Sequence, residues 1–120
     1  MKFEFKIEAK ENYNLVHFSG SLIEGAQSKE LLEAIENQIQ QSGNNFIVNL
    51  GGIKHMNSNG LNVLINILTK SRNAGGETII ANVPEKVTQL IVITKLNTVF
   101  TVTGTVEEAI PLINKVAQCL

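Results

Sequence analysis

Aspartate is missing altogether: all 11 acidic residues of this 120-residue chain are glutamates. A phospho-aspartate receiver, which needs that side chain as its acceptor, is thereby excluded. Cysteine is almost missing. Cys119 alone allows no internal disulfide and no cysteine-based metal cluster, its place beside the C-terminus argues against a nucleophile, and a reducing compartment fits. No excess of positive charge exists either. Ten Lys and Arg against 11 Glu leave a net charge of −1, so there is no basic footprint and nucleic acid is not an expected partner. Long apolar runs are lacking too. Nothing approaches membrane-spanning length, and "MKFEFKIEAK" carries charge at every second position, unlike the core of a signal peptide. A cytoplasmic protein without direct membrane insertion is expected. Repeats, linkers and low-complexity tracts are absent, which predicts one domain over residues 1–120, long enough to bury roughly two thirds of its unfolded surface. The 43% apolar and 18% charged content is ordinary for a globular protein.

What is present is a regular alternation of element signals. Residues 2–10 alternate strictly, Phe3, Phe5, Ile7 and Ala9 against Lys2, Glu4, Lys6, Glu8 and Lys10, which predicts a half-exposed strand. "ENYN" supplies turn residues, and "LVHFSG" reads as a return strand ended by Gly20, closing a hairpin. From Ser28 to Gln41 the spacing becomes helical, with Leu31, Leu32, Ile35 and Ile39 inward, and Ser42-Gly43-Asn44-Asn45 stops it. "FIVNL" is the short, continuously apolar strand of a sheet buried on both faces. Leu61, Leu64, Ile65 and Leu68 then recur at helix spacing until Gly75-Gly76. "ETIIANV" gives another strand. After it, Pro84 suits a helix start, and Val87, Leu90, Ile91 and Thr94 form a buried stripe. "NTVFTVTG" reads as the last strand. Thr105 and Glu108 then match a capping box, and Pro111 should kink or shorten the helix that follows.

The expected fold is α/β, with order β-β-α-β-α-β-α-β-α and a mixed, mainly parallel sheet. In such a sheet the loops after the strand C-termini gather at one edge, where ligands and partners meet this class. Three should converge there: "GSLIEGAQ", "GGIKHMNSNG" and "NVPEK". The second contains a polar knot, Asn57-Ser58-Asn59-Gly60. On one reading Asn57 is simply an N-cap, Gly60 relaxes the first turn, and Ser58 stands at or beside the first helical position. On the other, Ser58 is a hydroxyl where free N–H groups and the helix dipole would welcome a phosphate.

The ordered pieces Met56-Asn57-Ser58-Asn59-Gly60-Leu61-Asn62, Gly75-Gly76, Ile93-Thr94-Lys95-Leu96, Phe100 and Val106-Glu107-Glu108-Ala109 resemble, from residue 20 onward, the STAS domain of bacterial anti-sigma factor antagonists. The family's knot reads M-D-S-S-G-L-G. This resemblance implies a STAS domain spanning the chain, a binding switch with no catalysis of its own that regulates transcription, and a phosphoacceptor at Ser58. It further implies an anti-sigma factor that is also a serine kinase as partner, and a phosphatase that resets the switch. Ser21, Ile23, Lys54, His55, Asn57 and Asn59 are the candidate partner-binding residues.

The chain departs from that pattern at four acidic positions near the partner edge, which here are Ser21, Ile23, Asn49 and Asn57. Asn57 still caps a helix, but complementarity to a basic partner should change. The alternative is a constitutive STAS scaffold, or a subunit of a larger signalling or lipid-transport assembly, with Ser58 only capping. A hydrolase using Ser58 lacks the G-x-S-x-G elbow and any aspartate to orient a histidine, a place that only a glutamate could take. His17 and His55, without a thiol cluster or an evident carboxylate partner, make a poor metal site, and no cofactor is expected. Asn49 and Asn82 read as loop hydrogen-bonders.

Overall fold

The computed structural model describes residues 2–41 and 43–118; Ser42 and Cys119, which carried parts of the helix-stop and thiol arguments, lie outside them. The hairpin of β1 (Glu4–Ala9) and β2 (Asn14–Leu22) opens the chain, with Lys10 N–H closing the turn on the Tyr13 carbonyl at 2.8 Å. β2 does not end at Gly20. At φ +87°, with the Lys2 carbonyl 2.0 Å from where a Cβ would stand, this glycine lets the strand bend and continue for two more residues.

A short 3-10 turn (Gly25–Ser28) leads into α1 (Lys29–Gln41), then β3 (Phe46–Met56), α2 (Ser58–Asn73), β4 (Thr78–Ala81), α3 (Glu85–Ile93), a second 3-10 turn (Leu96–Thr98), β5 (Thr101–Thr103) and α4 (Val106–Gln118). The expected order β-β-α-β-α-β-α-β-α is therefore observed, and the sheet runs β1-β2-β3-β4-β5 with only β1 antiparallel to its neighbour.

Burial follows the side-chain alternation of the strands. Val16, Phe18, Val48, Leu50 and Ile80 share one core with Leu31 and Ile35 of α1, Leu61, Leu64 and Leu68 of α2, and Val87 and Ile91 of α3. Leu15, Ile47, Ile79 and Ala81 point the other way, onto Ala109 and Ile113 of α4. The continuous apolar character of "FIVNL" has its cause here, because Phe46 and Ile47 serve opposite cores.

Several boundaries differ from the sequence reading. "GGIKHM" is not loop: it prolongs β3 to Met56, paired with β2 as far as Leu22↔Met56 through two register shifts. "NTVFTVTG" shrinks to a 3-10 turn and a three-residue strand, and Thr94 is exposed rather than part of the α3 stripe. α4 passes through Pro111 to Gln118 without being shortened. As expected, α2 ends at the glycine pair, with Gly75 N–H bonded to the Arg72 carbonyl at 3.0 Å and Gly76 N–H to Ser71 at 2.8 Å, the paired closure of a Schellman motif.

Candidate functional site

The start of α2 lies at the C-terminal edge of the parallel strands. Asn57, extended at φ −123° and ψ −167°, is its N-cap: Oδ1 accepts the Asn59 N–H at 2.9 Å and the Gly60 N–H at 3.4 Å. Ser58 is the first residue of the helix and is exposed. Lys70 and Arg72 stand in the last turn of α2 while the first turn has no acid, so the positive end of the helix dipole is uncompensated beside the Ser58 hydroxyl. Gly60 is required by close approach: a Cβ would sit 2.4 Å from Met56 Cγ and 2.7 Å from the Leu22 carbonyl, because the first turn presses on the end of β2.

Two of the three expected loops meet through hydrogen bonds. Asn57 Nδ2 and Asn59 Nδ2 both donate to the Ile23 carbonyl, at 3.1 and 3.0 Å. Next to this junction a cleft of about 370 Å³ is lined by Ile23, Lys54, His55, Met56 and the Pro84–Val87 turn, so the third loop joins the same edge. Lys54 and His55 reach it from the end of β3, exposed, and not from a loop. Ile23 is 41% exposed and presents an apolar contact. Ser21 requires a correction. At 4% exposure within β2 it offers no surface to a partner, and its carbonyl is occupied by Gln27 Nε2 at 3.1 Å.

A polar chain on the same sheet face as the α4 core escaped the sequence reading. Asn82 Nδ2 donates to Asn49 Oδ1 at 3.1 Å, and Gly51 N–H donates to the same oxygen at 2.9 Å. Asn49 Nδ2 therefore donates to His17 Nδ1 at 3.1 Å, and His17 Nε2 carries the proton donated to Glu8 at 2.6 Å. His17 thus has the carboxylate partner it was expected to lack, and Asn49 is the hub of a mid-strand network. Its signal was present, since His17 and Glu8 lie in one hairpin, but only the register puts them on one face and brings them together. The hydrogen bond from His17, aided by Lys10 and Lys6 against some desolvation, holds the Glu8 carboxyl below its ordinary range. Both imidazole nitrogens are engaged, so His17 has none left to activate a nucleophile. Among the described residues no group of three or more His, Cys, Asp or Glu could hold a metal ion, and no helix is long and apolar enough to cross a membrane.

The family model for the STAS domain matches residues 4–109. The chain belongs to the STAS domain family. Among solved structures, this STAS domain is similar to the anti-sigma factor antagonist SpoIIAA in its unphosphorylated form (TM-score 0.72, 18% identity, 92% of this chain and 98% of that one). It also resembles the phosphorylated form of Bacillus SpoIIAA (0.71, 20%, 92% and 99%) and an anti-sigma factor antagonist from Mycobacterium paratuberculosis (0.78, 18%, 94% and 95%). Ser58 stands within the matched range, between two asparagines that are both tied to Ile23.

Proposed function

We propose that this STAS domain is an anti-sigma factor antagonist, a non-catalytic cytoplasmic binding switch that sequesters an anti-sigma factor when Ser58 carries a free hydroxyl and releases it when Ser58 is phosphorylated. The observation that carries the reading is Ser58 itself: exposed, first in α2, at an uncompensated helix N-terminus on the edge where the loops converge. A phosphate there would add about −1.5 to −2 charges beside the partner surface. Family membership supports the role, and SpoIIAA, a protein of this fold, has been seen in both phosphorylated and unphosphorylated forms. The partner is then an anti-sigma factor that is also a serine kinase, with a phosphatase restoring the hydroxyl. Ile23, Lys54 and His55 form the contact surface, and Asn57 and Asn59 shape it. The intact mass of the protein purified from its own cells, with any modified peptide sequenced, tests this directly. One phosphate on Ser58 is expected, and an unmodified chain under every growth condition would leave a constitutive binding domain instead.

A further inference from the structure

The segment that carries Ile23 is held from both sides. Gln27 Oε1 accepts the N–H groups of Ile23 and Glu24 at 3.1 and 2.9 Å, and Gln27 Nε2 donates to the Ser21 carbonyl. From the other side, both lone pairs of the Ile23 carbonyl are taken by the amides of Asn57 and Asn59. The two asparagines flank Ser58 in sequence. Asn57 can donate only because its Oδ1 already caps the helix, which fixes the amide orientation. An aspartate here would cap equally well but would have no hydrogen to give to Ile23. Asn57 therefore supplies both a cap and a tether, where an acid would supply the cap alone.

We propose that Asn57 and Asn59 are positioning residues that couple the state of Ser58 to the placement of the Ile23–Gln27 segment, an inference that rests on the reading of Ser58 as phosphoacceptor. With the hydroxyl free, the two amides hold Ile23 on the wall of the cleft beside Lys54 and His55. The modifying step is phosphoryl transfer from a nucleoside triphosphate bound by the kinase. The bond from Ser58 Oγ to the terminal phosphorus forms as that phosphorus loses its bridging oxygen, the diphosphate departs, and the hydroxyl proton passes to a base of the kinase. The new phosphate oxygens are anionic acceptors on the residue that separates the two asparagines in sequence. Hydrogen bonds to them are roughly twice as strong as to a neutral carbonyl, so the amide donors turn from Ile23 to the phosphate and the segment loses its hold on α2. Phosphorylation then alters the shape of the contact surface as well as its charge.

The test installs phosphoserine at position 58 during synthesis and compares amide hydrogen exchange with the unmodified chain. The Ile23 and Glu24 amides are bonded to Gln27 and exchange when the segment opens. Loss of about one net hydrogen bond to the Ile23 carbonyl makes that opening easier, so their exchange should rise by about tenfold, while the Phe46–Leu50 amides of β3 keep their rates. In an Asn59→Ala chain, where half of the tether is already gone, the same amides should exchange faster before modification and respond less to phosphoserine. Unchanged exchange at Ile23 and Glu24 on phosphoserine incorporation overturns the coupling. Because the phosphate is installed rather than acquired, that outcome is independent of whether cells modify Ser58. Absence of phosphate in the native protein would remove the functional reading alone.

Discussion

At the scale of single residues, the candidate site is decided by what each side chain near Ser58 is already bonded to. Asn57 makes two cap bonds and one tether, so the effects of replacing it separate by chemistry. Asn57→Ala removes all three and should cost about 1–2 kcal/mol. Asn57→Asp keeps the cap and gains about 0.3–1 kcal/mol from the helix dipole, against about 0.5–1.5 kcal/mol for the lost bond to Ile23, and should lie close to the native chain. Urea denaturation of the three proteins checks the order; an aspartate variant as unstable as the alanine one would mean that the tether, and not the cap, carries the stability. Gly60→Ala meets the Leu22 carbonyl, a backbone atom held by the sheet, and should be destabilised by about 1–3 kcal/mol as an overpacking change.

At the scale of elements, the sequence disclosed the order and the inner faces because hydrophobic period tracks burial, and burial is what the sheet and helices share. Phe46, Val48 and Leu50 alternate with Ile47 between two cores, which a strand buried on both faces accounts for. Where the reading failed, backbone pairing overrode local residue signals. Gly51 and Gly52 look like a loop in sequence, but β2 supplies partners as far as Met56, so glycine stays in a strand. Pro111 predicts a kinked or shortened helix; α4 is not shortened, because Ala109 and Ile113 on either side of it are fully buried against β2, β3 and β4. The cleft residues were named because their loops follow strand ends. Gln27, and the chain from Glu8 to Asn82, were not, since Gln27 acts on backbone groups of its own loop and the chain depends on side chains meeting across 9 to 33 positions. The orientation of α4 is open to test. Ile113→Ala should cost about 2–5 kcal/mol, whereas its exposed neighbour in Leu112→Ala should stay within about 0.5 kcal/mol. Equal losses in thermal unfolding would contradict the face assigned to this helix.

At the scale of the whole molecule, charge is nearly balanced, so the response to acid depends on which carboxylates are held charged by the fold. Glu8 is one of them: the His17 hydrogen bond keeps its carboxyl below the ordinary range. The folded chain therefore binds a proton there less readily than the unfolded chain, and the stabilisation is complete above the ordinary carboxylate pKa of about 4.3. It is lost as pH falls through that value and on through the lower pKa of the folded state. A Glu8→Gln chain lacks this term at every pH. The native protein should accordingly be the more stable of the two at neutral pH, and the gap between their urea midpoints should close on acidification below about pH 4. Glu4→Gln, a change of the same charge on the same strand but outside this hydrogen bond, separates the specific pair from net charge, because it should leave the acid slope of the native protein in place. A gap for Glu8→Gln that stays constant into acid would show that the His17 contact contributes by packing the hairpin and not by ionisation.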